Sequence, residues 1–244
     1  MITSNKIKFI RSLKLKKNRD IHNCFIVEGE KMVNEIQNSS FVIREIYVTN
    51  NCSLRINDNI DIHNISANNL KRLTNLKTPN KVLAIVEKME ERFVLEDMSN
   101  GITLMLDDIK DPGNFGTIIR LCDWFNVKNI ICSKDTVDLY NPKVIQATMG
   151  SISRVNVFYK DLVDIISNLP IETHIYAASM GGEDIQDINI RKNSIIVLGN
   201  ESVGISNNIK QLITNKITIK KVEGGAESLN VAIAASIILY EFNK

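Results

Sequence analysis

Short apolar runs alternate along the chain with stretches of helical periodicity, a pattern that predicts an α/β protein. In the first part, Lys6 to Leu15 reads as a helix with Phe9, Ile10 and Leu13 on one side. A strand follows at Cys24–Val27, then a helix at Glu30–Ile36 stopped by Asn38-Ser39-Ser40. Strands at Val42–Val48 and Asp61–Ile65 precede a helix at Asn68–Leu73 capped by Ser66, and Lys81–Glu87 closes the set as a buried strand. These elements predict a small α/β sandwich with a mixed or parallel sheet. The polar stretch Glu90–Gly101 marks a junction between a domain over residues 1–95 and a second over 96–244.

The second domain reads as strands at Ile102–Leu106, Asn129–Cys132, Val155–Phe158, Thr173–Ala177, Ile195–Leu198 and Lys216–Ile219. Helices are expected at Thr117–Asn126, Val144–Met149, Leu162–Asn168 and Ser228–Phe242. Continuously apolar strands between helices imply a parallel sheet covered on both faces, with any ligand beyond the carboxyl ends of the strands. The last helix is apolar nearly all round, so one side must pack on the sheet and the other on a partner, most economically a second copy, or on the N-terminal domain.

Composition narrows the chemistry. The chain of 244 residues is 44% hydrophobic and 24% charged, as in an ordinary globular protein. The longest apolar run, Val231–Tyr240, is half of what a spanning helix needs, and no secretory signal is visible. Cys24, Cys52, Cys122 and Cys132 lack CxxC spacing and His22, His63 and His174 are scattered, so reduced thiols, no metal site and a cytoplasmic location are expected. Charge is uneven: residues 1–93 carry 16 Lys and Arg against 10 Asp and Glu, the remainder 14 against 18. Lys6, Lys8, Arg11, Lys14, Lys16, Lys17 and Arg19 all precede the first acid, Asp20, a basic front end suited either to a phosphate backbone or to a solvated helix face.

Three segments join glycine and small polar residues to these strands and helices. The first, Asp111-Pro112-Gly113-Asn114-Phe115-Gly116-Thr117-Ile118-Ile119-Arg120, puts Pro112 and Gly113 in a turn and Asn114 at a helix N-cap. Arg120 lies off the apolar stripe, where it either serves a site or pairs with Asp123 at i,i+3. The second runs from the strand into Gly199-Asn200-Glu201-Ser202-Val203-Gly204, where a missing Cβ lets backbone reach a ligand. It is not the GxGxxG dinucleotide fingerprint. In the third, Glu227-Ser228-Leu229-Asn230-Val231-Ala232, Ser228 suits an N-cap and Asn230 has no evident structural reason in so apolar a helix. Between them, Asn141-Pro142-Lys143 sets a lysine at a helix start, against the dipole, which favours an anionic partner.

In this order the segments resemble the three motifs of the SpoU/TrmH family of RNA 2′-O-ribose methyltransferases, over most of Leu104–Phe242. The resemblance implies a trefoil-knotted C-terminal domain, S-adenosylmethionine as cofactor, a homodimer formed through the last helix, and RNA as substrate, rRNA in preference to tRNA and not DNA. It implies Asn114, Arg120, Glu201, Ser228 and Asn230 as catalytic-site residues, and Leu198, Gly199, Gly204, Ile219 and Leu229 around the cofactor. Lys8, Arg11, Lys14, Lys16, Lys17 and Lys143 are then the RNA contacts. Residues 1–95 resemble the family's substrate-binding domain, most closely over Phe25–Lys31. One departure stands out: the usual Ile-Pro after the last strand is replaced by Ile217-Thr218-Ile219-Lys220-Lys221, so either Ile217 or Ile219 meets the adenine, and Ile219 is preferred. A non-enzymatic RNA-binding protein on the same fold is the chief alternative. A nucleotide-dependent oxidoreductase would need an early phosphate-binding glycine loop.

Overall fold

The structure, a computed structural model, describes residues 2–57, 59–90, 92–95, 98, 101–191, 193–213, 215–222 and 224–244. Much of the polar junction expected at Glu90–Gly101 therefore lies outside the described residues. The chain forms two compact units, Met1–Glu90 with Asp138–Ser153, and Glu91–Val137 with Arg154–Lys244.

The first unit holds α1 (Ser4–Ser12), α2 (Lys16–His22), β1 (Cys24–Glu28), α3 (Glu30–Gln37), β2 (Ile43–Val48), β3 (Asp61–Asn64), α4 (Ala67–Leu73) and β4 (Val82–Glu87). Its sheet runs β1-β4-β2-β3 and is mixed, with β2–β3 parallel and the β1–β4 and β2–β4 pairs antiparallel. Ile7, Ile10 and Leu13 of the first helical segment pack with Leu70, Leu73, Ile26, Leu83 and Ile85.

Arg19, the last cation of the basic front end, is not part of an exposed face. Its guanidinium is buried, donating to the carbonyls of Leu13 (2.9 Å) and Lys14 (2.8 Å) and to Asp138 Oδ2 (2.5 Å). The pair ties the α1–α2 turn to the start of the segment that carries α6 (Pro142–Thr148), and α6 in turn packs on β1. Asp138→Ala would leave that cation buried with carbonyl partners alone, and breaking a buried pair in this way is expected to cost about 3 kcal/mol. Chemical denaturation followed by loss of helical circular dichroism measures it.

The second unit contains β5 (Ile102–Asp107), α5 (Pro112–Trp124), β6 (Asn129–Cys132), β7 (Asn156–Tyr159), α7 (Leu162–Ser167), β8 (His174–Asp184), β9 (Ser194–Gly199), α8 (Asn207–Lys210), β10 (Asn215–Thr218) and α9 (Val231–Phe242). Its six strands are all parallel, in the order β10-β8-β9-β5-β6-β7. β5, β6 and β9 are buried almost throughout; apart from Thr103 and the polar residues at their ends they are apolar, as strands covered on both faces require. From β5 the chain builds outward through β6 and β7, then crosses to β8 on the other side, inserts β9 between β8 and β5, and adds β10 outside β8. The order thus reverses between β5 and β9, whose carboxyl ends meet at the register pair Asp107 and Gly199. At such a switch point a crevice opens for a ligand.

β8 is longer than its apolar core. Its far half pairs again with β10 after a register shift, and a Cβ at Gly182 would stand 2.6 Å from Ile217 N. No helix among the described residues is long and apolar enough to cross a membrane.

Candidate functional site

Two helix starts frame the end of the sheet, and both differ from expectation in their caps. α5 begins at Pro112, five residues earlier than expected, because Asp111 is the N-cap and accepts from Asn114 N at 2.7 Å. Pro112 fits the first helical position, where no N–H is needed. Asn114 is thereby released from the capping role, its side chain free to reach outward. α9 begins at Val231 with Asn230, not Ser228, as N-cap. Asn230 Oδ1 accepts from Ala232 N at 2.9 Å and Ile233 N at 3.3 Å, which supplies the structural reason for this residue.

The two asparagines then meet. Asn230 Nδ2 donates to Asn114 Oδ1 at 2.9 Å, and Asn114 Nδ2 donates to Glu201 Oε1 at 2.9 Å. One residue from each of the three segments is thus joined in a single hydrogen-bonded chain at the β5–β9 switch point.

Glu201 is presented by a loop built largely from Asn200. The Asn200 Oδ1 accepts from Ser202 N (2.8 Å) and Val203 N (3.2 Å), while Nδ2 donates to the Asp108 carbonyl (2.8 Å). Asn200 and Gly204 form an antiparallel bridge, and Asp107 Oδ2 accepts from Ser206 N at 2.6 Å. Gly204 has φ +71°, a left-handed conformation that strains any residue bearing a side chain. Gly199 is glycine for another reason: a Cβ there would lie 2.2 Å from Ile205 N.

Beside the third segment lies a cavity of about 350 Å³ whose walls include Met180, Ile217, Ile219, Leu229 and Ile238, with Ser228 at its edge. Its size and mainly apolar walls suit a small organic ligand with a few polar groups. Both Ile217 and Ile219 line it, whereas Leu198 is buried in β9. Burial pushes the Cys122 thiol of α5 well up, so it is no thiolate nucleophile. Among the described residues no cluster of His, Cys, Asp and Glu could hold a metal ion.

Arg120 does not join the chain. It is exposed on α5 and has no hydrogen-bond or ion-pair partner among the described residues. The alternative pairing with Asp123 is not realised, because Asp123 accepts from Arg154 Nε at 3.0 Å and lies 2.9 Å from its Nη2. Lys8, Arg11, Lys14, Lys16 and Lys17 are exposed on α1, α2 and the turn between them, with Lys16 paired to Asp20 at 2.7 Å. Lys6 is instead engaged by Glu45. Lys143 is exposed in the first turn of α6, within the first unit.

Sequence reasoning missed Asp111, Asn200, Met180 and Arg154. The Asp-Pro dipeptide was a usable signal for the cap. Asn200 acts partly through its own loop, accepting from Ser202 N and Val203 N, so an asparagine in a Gly-Asn turn was a local sign too. Met180 and Arg154 act through contacts distant in the chain, for which the sequence offers no local sign.

A six-stranded parallel sheet, a Gly-Asn-Glu loop at its switch point and an adjoining small-molecule cavity define an α/β protein built to hold a ligand beside polar side chains. Residues 101–240 match the SpoU rRNA Methylase family, and the chain belongs to that family. Residues 4–84 match an MRM3-like substrate binding domain. Among curated relatives, the 23S rRNA (guanosine(2553)-2′-O)-methyltransferase RlmP of Bacillus subtilis (strain 168) is 27% identical, over 97% of this chain and 95% of its own. Among solved structures, a TrmH-family protein from Porphyromonas gingivalis superposes with TM-score 0.89 at 32% identity, covering 99% of this chain and 98% of that one. An AdoMet-bound rRNA methyltransferase from Sinorhizobium meliloti gives 0.86 at 26% identity, covering 99% and 95%.

Proposed function

We propose that this protein transfers the methyl group of S-adenosylmethionine to a ribose 2′-hydroxyl of ribosomal RNA. The observation that carries this reading is the Asn230–Asn114–Glu201 chain, three family-motif residues hydrogen-bonded at the switch point of the sheet. Ribosomal RNA is favoured over tRNA by the substrate-binding match over residues 4–84 and by the 23S rRNA activity in the name of the Bacillus relative. Residues 1–95 serve as the RNA-binding domain and 96–244 as the methyltransferase domain, whose C-terminal strands and helix form the family's trefoil knot. The protein acts in the cytoplasm.

Ile217, Ile219 and Leu229, with the backbone of Gly199 to Gly204 and the end of β9 at Leu198, would hold the cofactor, and bound there it supplies an already activated methyl carbon on a sulfonium. The protein's task is then alignment and the loss of one proton. Arg120, with its five fixed donors, grips the phosphate next to the target ribose. It keeps its own proton, since guanidinium stays charged. Glu201 accepts the hydrogen bond of the ribose 2′-hydroxyl, whose proton leaves to water or to the adjacent phosphate as the new O–CH₃ bond forms, and Ser228 orients the ribose. Lys8, Arg11, Lys14, Lys16, Lys17 and Lys143, all of the first unit, bind the RNA backbone.

Two copies pair through α5 and α9. The two helices pack together, and Trp124, Ile233, Ile237 and Tyr240 stand exposed on them, by 83%, 54%, 36% and 59%. So many large apolar side chains on one helix pair call for a partner surface. Ile237→Glu is expected to leave each unit folded but turn the dimer into a monomer in sedimentation, with methyl transfer lost alongside.

The direct test of the activity incubates purified protein with methyl-tritiated S-adenosylmethionine and unmodified ribosomal RNA or tRNA, then maps ribose methylation. Label in a single ribosomal 2′-O position is expected. Absence of label from both RNAs would overturn the reading, and label in tRNA alone would move its substrate.

A further inference from the structure

We infer that Asn230 is a positioning residue whose amide orientation dictates, through Asn114, which oxygen of Glu201 is left for the substrate. The inference rests on the methyl-transfer reading above and deepens it at the same site.

An asparagine amide can turn end for end, and an isolated pair of asparagines has no preferred sense. Here the sense is forced. Asn230 Oδ1 receives two backbone N–H groups as the cap of α9, so that end cannot be the NH₂ group without setting donor against donor. Its Nδ2 therefore faces Asn114, and Asn114 must turn Oδ1 toward it. The Nδ2 of Asn114 is then left to point at Glu201 Oε1, which needs a donor. The main chain of Asn114 is fixed as well, through its N–H to Asp111 Oδ1. The cap of one helix thus sets, two hydrogen bonds away, the posture of a carboxylate on another loop. Glu201 Oε2 has no partner among the described residues and is available to accept from a ribose hydroxyl.

This role separates from helix capping by one substitution. Asn230→Asp keeps the cap, because aspartate serves as well as asparagine at that position and its charge suits a helix N-terminus. It removes the only donor that Asn230 offers to Asn114. Asn114 then reverses to donate to the carboxylate introduced on the α9 cap, and its oxygen confronts the Glu201 carboxylate.

The experiment compares wild type and N230D in four measurements. Thermal stability and cofactor affinity by calorimetry should match, the affinity within about twofold, because neither site nor cap is lost. The kcat for methyl transfer should fall on the order of 10²-fold, with the RNA KM little changed, as expected for a misoriented acceptor. Side-chain amide resonances of Asn114 should move on Glu201→Gln in the wild-type background and lose that dependence once N230D is present. Near-normal kcat in N230D, or unchanged Asn114 resonances, would overturn the inference. A wild-type enzyme that labels no RNA would instead defeat the functional reading, and the resonances would still report on the chain. The pair N114D with E201Q adds a second arm, since it rebuilds both hydrogen bonds with the carboxylate moved to position 114. Stability should be preserved and turnover stay low; recovered turnover would show that the sense of the chain is irrelevant.

Discussion

Arg120→Ala should remove methyl transfer while leaving cofactor binding within a few-fold. The expectation follows from where the side chain stands. Arg120 is exposed, unpaired among the described residues, and outside the cavity lining, so its removal takes nothing from the cofactor site and opens no hole in the core. What it takes away is a planar fork able to hold a phosphate in one orientation, a geometry that lysine cannot reproduce. In a reaction whose activation is carried by the cofactor, misplacing the nucleophilic oxygen by an ångström costs on the order of 10²-fold in rate. Arg120→Lys should therefore recover charge-driven RNA affinity but little turnover. Single-turnover methyl transfer with saturating RNA, set beside calorimetric cofactor titration, reads both quantities. Turnover near the wild-type level in R120A would show that another group holds the phosphate.

The neighbouring pair explains why Arg120 is available at all. An arginine three residues before an aspartate on a helix would ordinarily be expected to close on it. Arg154 reaches Asp123 from elsewhere in the unit, with its Nε equidistant from both carboxylate oxygens, and so removes the nearest competitor for the Arg120 fork.

Most of the sheet is legible in the sequence. Apolar runs such as Ile195–Leu198 and Asn129–Cys132 are long enough for strands and too short for helices, and a buried parallel strand tolerates little else. Helix starts are less legible. Asp111 and Asn114, like Ser228 and Asn230, are all capable caps within a few residues of each other, and the choice depends on where the backbone leaves the helical region. Pro112 is the deciding clue for the first pair; nothing local decides the second. α2 is hidden because its basic residues resemble a solvated run, and it ends on Asn23 in a left-handed conformation, φ 47°. Arg19, which reads as one more surface cation, is buried because the carbonyls of the preceding turn and Asp138, far along the chain, converge on it. The family motifs bring Asn114, Glu201 and Asn230 to attention, but only the fold reveals that they are bonded to each other.

Gly199→Ala is expected to be the most damaging small substitution in the C-terminal unit, and Gly204→Ala supplies its control. The two glycines bracket the same loop for different physical reasons. At Gly204 a Cβ would meet nothing within 4 Å, and the demand comes from φ +71° alone, a cost of about 1 kcal/mol for an alanine. At Gly199 the added carbon would stand 2.2 Å from Ile205 N and 2.3 Å from Gly204 C, both backbone atoms that no rotamer change can move. Room can come only from parting the strand end from the returning loop, which breaks the Asn200–Gly204 bridge and shifts Glu201 with it. Overpacking of this kind costs about 3 kcal/mol. Hydrogen exchange should accordingly rise at the Asn200 and Gly204 amides in G199A and much less in G204A. Methyl transfer should fall in G199A, because the loop that shifts presents Glu201, the residue joined to Asn114 and through it to Asn230. Equal, mild effects of the two substitutions would mean that the loop yields easily, and the close approach at Gly199 would then have no functional weight.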